Sequence, residues 1–190
     1  MQRALLIVDT QNDFCPGGGF PVPEGNKIIG PLNKVLDYAR NRHWKIFASR
    51  DWHASNLFSK DDCSRHCIQE TKGAKFHPDL KIKDDVIVIS KGSHDLSDRH
   101  YSAFNGDEIS LDELLRETGV KELYIGGLAL DYCVKNTAID SAKKGYKTYV
   151  FLDATKAVNN KSDDIKATVR EMKKEGIEFI KTAEFLTKNQ

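Results

Sequence analysis

Short apolar runs alternate with amphipathic stretches along the whole chain. Ala4-Leu5-Leu6-Ile7-Val8 reaches Asp9 without a polar break, which predicts a strand buried on both faces, as in a parallel sheet. A Gly/Pro-rich loop follows over Cys15–Gly25. The spacing of Ile28, Leu32, Val35, Leu36 and Ala39 at three and four residues predicts a helix to about Asn41. Lys45–Arg50 reads as a second strand, Val86–Ser90 as a third and Leu123–Gly126 as a fourth. Tyr146–Leu152 and Ile177–Ile180 read as the fifth and sixth. Ser110 opens another helix, its hydroxyl an N-cap with Glu113 three residues on. Further helices are predicted over Asp131–Lys144, Ser162–Lys174 and Ala183–Lys188. Six strands alternating with helices predict an α/β fold: a six-stranded, mainly parallel sheet with helices on both faces, Rossmann-like in its three layers. The 190 residues suit a single domain, 1–190, with a full core. Repeats, low-complexity segments and interdomain linkers are absent from the pattern.

This architecture directs attention to the strand ends. Ligands of open parallel sheets sit beyond the carboxyl ends of the strands. Asp9 ends the first strand, Asp51 follows the second, Lys91 follows the third, and Cys133 lies just past the fourth. A parallel sheet lines all four along one edge. The stretch Gly126-Gly127-Leu128-Ala129-Leu130-Asp131-Tyr132-Cys133 is a turn entering a helix, with backbone N–H groups beside a thiol. A helix N-terminus and a nearby cation lower a thiol pKa, so Cys133 is a candidate nucleophile. Asp9, desolvated at the end of an apolar strand, is a candidate general base and acid. Lys91 is the cation that holds the pair. Alone, Cys133 would read as a small buried hydrophobe and Lys91 as a surface lysine; the shared edge changes that reading.

Residues 51–84 show little regular pattern, and connections of this length are more often functional than filler. They contain Asp51-Trp52-His53 and, further on, His66. One carboxylate and two imidazoles make a three-ligand divalent site with open positions. Two readings compete with it: a structural zinc on Cys63, His66 and Cys67, and polar loop residues that hold no metal.

Charge and composition narrow the function classes. The 29 basic and 28 acidic residues leave a net charge of +1, no footprint for nucleic acid or an anionic membrane surface. No apolar run approaches the ~20 residues that span a bilayer. The run after Met1-Gln2-Arg3 is too short for a secretory core. A cytoplasmic location is therefore expected, with Cys15, Cys63, Cys67 and Cys133 reduced. A dinucleotide-binding oxidoreductase lacks support. The first strand is not followed by Gly-x-Gly-x-x-Gly, and Gly17-Gly18-Gly19 runs into Phe20-Pro21 rather than a helix.

With these residues in view, the chain resembles the isochorismatase-like cysteine hydrolases, and within them the nicotinamidase (pyrazinamidase) family. Ile7-Val8-Asp9-Thr10-Gln11-Asn12-Asp13-Phe14 resembles the first catalytic motif and Ser49-Arg50-Asp51-Trp52-His53 the metal motif. Arg65-His66-Cys67-Ile68-Gln69 resembles the segment of the second metal histidine. Ile89-Ser90-Lys91-Gly92 carries the family lysine, Tyr101-Ser102-Ala103-Phe104 also matches, and Gly126 to Val134 matches the nucleophile segment.

The resemblance implies hydrolysis of nicotinamide to nicotinate and ammonia in NAD salvage, through a thioester on Cys133 with Asp9 moving the proton. It implies an oxyanion held by the backbone N–H groups of Ala129 and Cys133, beside a cis peptide at Leu128-Ala129. Phe14, Leu128 and Tyr132 are implied in the substrate pocket. One divalent ion, zinc first and iron or manganese as alternatives, is implied at Asp51, His53 and His66, where it binds the pyridine nitrogen. A further ligand from Ser59, Asp61 or Asp62 is open. Homo-oligomerisation is compatible with the resemblance. The chain departs from the family where a tryptophan wall is usual and Cys63 stands, which leaves a sister activity on another small amide or carbamoyl compound as the alternative. A ligand-binding domain with a dead site is a further one.

Overall fold

A computed structural model describes residues 2–59, 65–94, 96 and 101–189 of the chain. At its centre is β1 (Gln2–Val8), in which Ala4 to Val8 are fully buried. The strand is apolar on both sides because both sides are covered. Leu5 and Ile7 pack into one core with Leu32, Val35 and Leu36 of α1 (Ile29–Asn41). Leu6 and Val8 face a second core on the opposite side of the sheet.

The other strands are β2 (Lys45–Asp51), β3 (Val86–Lys91), β4 (Val120–Leu128), β5 (Lys147–Lys156) and β6 (Glu178–Ile180). They are ordered β3-β2-β1-β4-β5-β6, and every neighbouring pair is parallel. The sheet is therefore all parallel rather than mainly parallel. Helices α2 (Leu111–Glu117), α3 (Lys135–Lys143) and α4 (Ser162–Lys174) contribute Leu115, Ala138 and Met172 to the second core. Helix α5 (Thr182–Lys188) places Phe185 in the first core beside α1. Among the described residues no helix is long and apolar enough to cross a membrane.

Most element boundaries follow the apolar pattern; the differences have local causes. β4 begins three residues before the predicted strand because Glu122 is held at the sheet's end by Arg3, 2.7 Å away. β5 begins at Lys147 and extends through polar Thr155 and Lys156, which pair with Gly127 and Leu128 beyond an irregularity in the ladder. The helix expected from Asp131 opens instead with a π turn, Leu130–Val134, and becomes α-helical at Lys135. Ser110 caps α2 as expected, accepting the N–H of Glu113 at 3.3 Å.

The chain fills one side of the sheet, β1 to β3, then crosses to β4 on the other side of β1. β1 leads to α1 on one face and β4 to α3 on the other, so a crevice forms beyond their carboxyl ends. Gly127 lies beside it with φ +129°, and an added Cβ would overlap the Val8 backbone. Only glycine allows the two central strands to approach this closely.

The long connection after β2 has little periodicity but is tied to the sheet. His53 bridges to Ile68, with His53 N–H donating to Cys67 O at 3.0 Å and Gln69 N–H to His53 O at 2.9 Å. Gln11 bridges to Phe76. These links fold the connection back over the strand ends.

Candidate active site

Asp9, the residue after β1, is fully buried in a left-handed conformation with φ +43°. Its N–H donates to Ser49 O at 3.1 Å, and Ser49 Oγ donates to its carboxylate at 2.7 Å. Lys91 and Asp51 end neighbouring strands in register. The Lys91 ammonium, with no exposure to solvent, pairs with Asp51 and lies 2.9 Å from Asp9 Oδ2. It also lies 3.7 Å from Cys133 Sγ. Three donors thus meet three buried partners. The four strand-end residues come together as the sheet reading predicted.

The electrostatics correct one expectation. Cys133 was expected to be acidified by its helix and its cation. Burial instead pushes the thiol well above its ordinary value; Lys91 opposes this, but the nearby Asp9 and Asp51 charges add to it. The resting group is a thiol, with an Asp9 carboxylate oxygen within 4.8 Å of Sγ. Burial also raises Asp9, against the pull of Lys91. Burial pushes Asp51 up too, but Lys91 and His53 outweigh it, and its pKa falls. Lys91 resists burial through Asp51 and Asp9 and stays charged. Burial raises the Cys15 and Cys67 thiols as well. Cys133 therefore differs from them by its neighbours, a carboxylate and an ammonium alongside, rather than by a low resting pKa.

The second cluster lies next to the first. His53 is buried and its Nδ1 bonds to Gly92 O at 2.8 Å, which turns Nε2 inward to 3.8 Å from Asp51 Oδ2. His66 Nε2 is 4.0 Å from the same oxygen. Donors bound at 2.0–2.2 Å to a tetrahedral ion stand about 3.4 Å apart. Separations of 3.8 and 4.0 Å close to that with a contraction of tenths of an ångström, so Asp51, His53 and His66 fit a divalent ion. A second acidic grouping, Asp9, Asp51 and Cys133, already encloses the Lys91 ammonium as its cation. Among the described residues Cys67 joins no such group, and Cys63 of the competing structural-zinc reading lies outside them. Of the proposed extra ligands Ser59 is exposed, while Asp61 and Asp62 lie outside the described residues.

A cavity of about 280 Å³ joins the two clusters: Cys133 of the first and Asp51 and His66 of the second all line it. Phe14, Leu128 and Tyr132 line it, as the sequence reading expected, and so does Tyr101. Phe20, Phe58, Val22, Leu96 and Val158 also line it and were missed. Phe14, Phe20 and Phe58 surround His66, with ring centroids at 5.4, 5.3 and 5.8 Å. Aromatic surface is therefore present although the expected tryptophan is not. Val158 reaches the cavity because Asp131 accepts the N–H groups of Val158 and Asn159, each at 2.9 Å. Gln11 was also missed as a positioning group. Its buried amide accepts the Asp51 N–H at 2.8 Å and donates to Asp51 O at 2.7 Å. The peptide Leu128-Ala129 is cis, as the resemblance implied.

The isochorismatase domain model matches residues 3–184. The chain belongs to the isochorismatase family. It is similar to the nicotinamidase of Escherichia coli (strain K12), 38% identical over 92% of each chain. A crystal structure of a pyrazinamidase from Pyrococcus horikoshii in complex with zinc superposes with a TM-score of 0.85. It is 38% identical and covers 95% of this chain and 99% of its own. The yeast nicotinamidase bound to the inhibitor nicotinaldehyde superposes with a TM-score of 0.82 at 29% identity, covering 95% of this isochorismatase-family chain and all of its own.

Proposed function

We propose that this chain is a nicotinamidase, hydrolysing nicotinamide to nicotinate and ammonia, with Cys133 as nucleophile and Asp9 as the group that moves the proton. The observation that carries the reading is the cavity itself. It is lined by the Cys133 thiol, with Asp9 and Lys91 behind it, and by Asp51 and His66 of the oxygen–nitrogen–nitrogen donor set. Nicotinamide carries a group for each, an amide for the thiol and a ring nitrogen for the donor set. The names of the relatives agree with it.

The chemistry follows from the charges. With the carboxamide carbon against Cys133, Asp9 takes the thiol proton and the thiolate attacks. Negative charge moves from the Asp9 carboxylate to sulfur, and both lie beside the Lys91 ammonium. At 3.7 Å, an ammonium–thiolate pair is worth about 4 kcal/mol at an effective dielectric of ~20. The cation therefore stabilises the charge before and after the transfer without having to move. The backbone N–H groups of Ala129 and Cys133 are assigned to the oxyanion. Asp9 then returns the proton to the departing ammonia, and on the second half-reaction draws a proton from the water that cleaves the thioester.

Phe14, Leu128 and Tyr132 hold the ring. Asp51, His53 and His66 would hold the divalent ion, zinc by the donor set and iron or manganese as alternatives; when bound, it supplies a Lewis-acid contact for a ring nitrogen.

The test is ammonia release from purified protein, with nicotinamide and pyrazinamide as separate substrates. Activity is expected with both, lost on chelation and restored by zinc, with iron and manganese tested in parallel. No release from either in the presence of each metal would exclude the reading and favour another small amide or carbamoyl substrate. A narrower expectation concerns Asp131→Ala, which frees the segment carrying Val158. Losing two backbone anchors of about 0.5–1.5 kcal/mol each should raise KM about tenfold. kcat should change far less, and steady-state kinetics separates the two. An unaltered KM would show that Asp131 does not hold this wall.

A further inference from the structure

Asp13 sits outside the reacting groups, yet its side chain joins the two loops that carry Phe20 and His66 to the cavity. One carboxylate oxygen accepts the N–H of Gly19 at 2.9 Å, in the Gly-rich loop one residue before Phe20. The other accepts the N–H of Cys67 at 2.7 Å, one residue after His66. The Asp13 backbone reinforces both ends: its O accepts Phe20 N–H, and its N–H donates to Gly73 O, each at 3.0 Å.

The surrounding glycines are shaped to this carboxylate. A Cβ on Gly73 would overlap the Asp13 carboxylate, which supplies its three nearest atoms. A Cβ on Gly19 would sit 3.0 Å from Arg65 O and 3.3 Å from the same carboxylate. Cys67 itself has φ +47°, so the chain turns sharply at the point that Asp13 grips.

We infer that Asp13 is a positioning residue that sets the metal ligand His66 and the cavity wall Phe20 together, by clamping the backbone next to each. This inference rests on the metal and substrate reading proposed above. His66 is the ligand nearest this clamp. It comes from a loop, one residue before the N–H that Asp13 holds. Its ring touches Phe14, Phe20 and Phe58, so displacing Phe20 and displacing His66 are coupled. Loss of the clamp should therefore weaken the metal and the substrate while leaving Cys133, Asp9 and Lys91 in place.

The experiment measures zinc affinity by competition with a chromophoric chelator, and steady-state kinetics at saturating zinc, for wild type, Asp13→Ala, Asp13→Asn, Gly73→Ala and Asp13→Ala/Gly73→Ala. Groups that orient metal ligands typically contribute 10- to 100-fold in affinity, and a loss of about that size is expected for Asp13→Ala. KM should rise, with kcat at saturating zinc within about threefold of wild type. Asp13→Asn keeps one acceptor oxygen and should fall between the two. Gly73→Ala should reproduce the Asp13→Ala defect by pushing the carboxylate aside.

The decisive comparison is the double variant. Once Asp13 is truncated the three atoms nearest the added methyl are gone, so Gly73→Ala should add little to Asp13→Ala. Unchanged zinc affinity in Asp13→Ala, or a Gly73→Ala effect that adds in full, would overturn the inference. Should Asp13→Ala not fold, zinc affinity in Asp13→Asn and Gly73→Ala decides the matter alone. A wild-type protein that binds no zinc and releases no ammonia would instead overturn the functional reading, and the inference with it. A wild type active with zinc beside an unaffected Asp13→Ala would overturn the inference only.

Discussion

Cys133→Ala is expected to lower nicotinamide turnover by on the order of 10⁴-fold or more, with the fold and ring binding retained. The large effect follows from the rest of the site being arranged for sulfur. An Asp9 carboxylate oxygen lies within 4.8 Å of Sγ, and Lys91 stands 3.7 Å from it. Removing sulfur leaves both groups with no nucleophile to serve. Ring binding should persist because the groups assigned to it, Phe14, Leu128, Tyr132 and the Asp51–His53–His66 set, do not depend on the sulfur. Ammonia release measures the first effect and calorimetric titration with nicotinamide the second. Residual turnover within tenfold of wild type would end the thioester mechanism. Intact protein mass after rapid quench adds a direct check. A substrate-derived adduct should appear on wild type and be absent from the variant.

A second large effect is expected on stability. In chelated protein, Lys91→Met should cost about 3–5 kcal/mol of unfolding free energy. Met fills similar space, so packing changes little. What is lost is the ammonium between two buried carboxylates, Asp9 and Asp51. Without it, each carboxylate must either remain charged in a desolvated site or take up a proton. Adding Asp51→Asn removes one of those charges and should recover part of the loss. Urea unfolding of the wild type, both single variants and the double variant measures this coupling. A Lys91→Met cost below about 1 kcal/mol would show that Lys91 does not hold the carboxylates together. Turnover should also fall sharply in Lys91→Met, since the charge passing from Asp9 to sulfur would lose its counter-ion.

The sheet and its order of elements were legible because strand burial is written locally. A run such as Ala4 to Val8 has only one economical place, between two covered faces. The alternation of strands and helices then required parallel pairing, and parallel pairing brought Asp9, Asp51, Lys91 and Cys133 to one edge. The ends of β4 and β5 were less legible. Glu122 and Thr155 are polar, and they join the sheet through partners distant in sequence.

By itself, then, the sequence determined the α/β class, the strand-end residues and the family resemblance, because each depends on short-range pattern. Tertiary structure alone decided the direction of the Cys133 shift, since desolvation is a property of everything packed around a group. It also decided the cavity wall. Phe20, Phe58 and Val158 come from separate loops with no periodicity to reveal them, and hydrogen bonds to Asp13 and Asp131 bring Phe20 and Val158 to the cavity. The closeness of His66 to Asp51 was likewise decided in three dimensions, because a long loop reaches a strand end only through the bonds that fold it back.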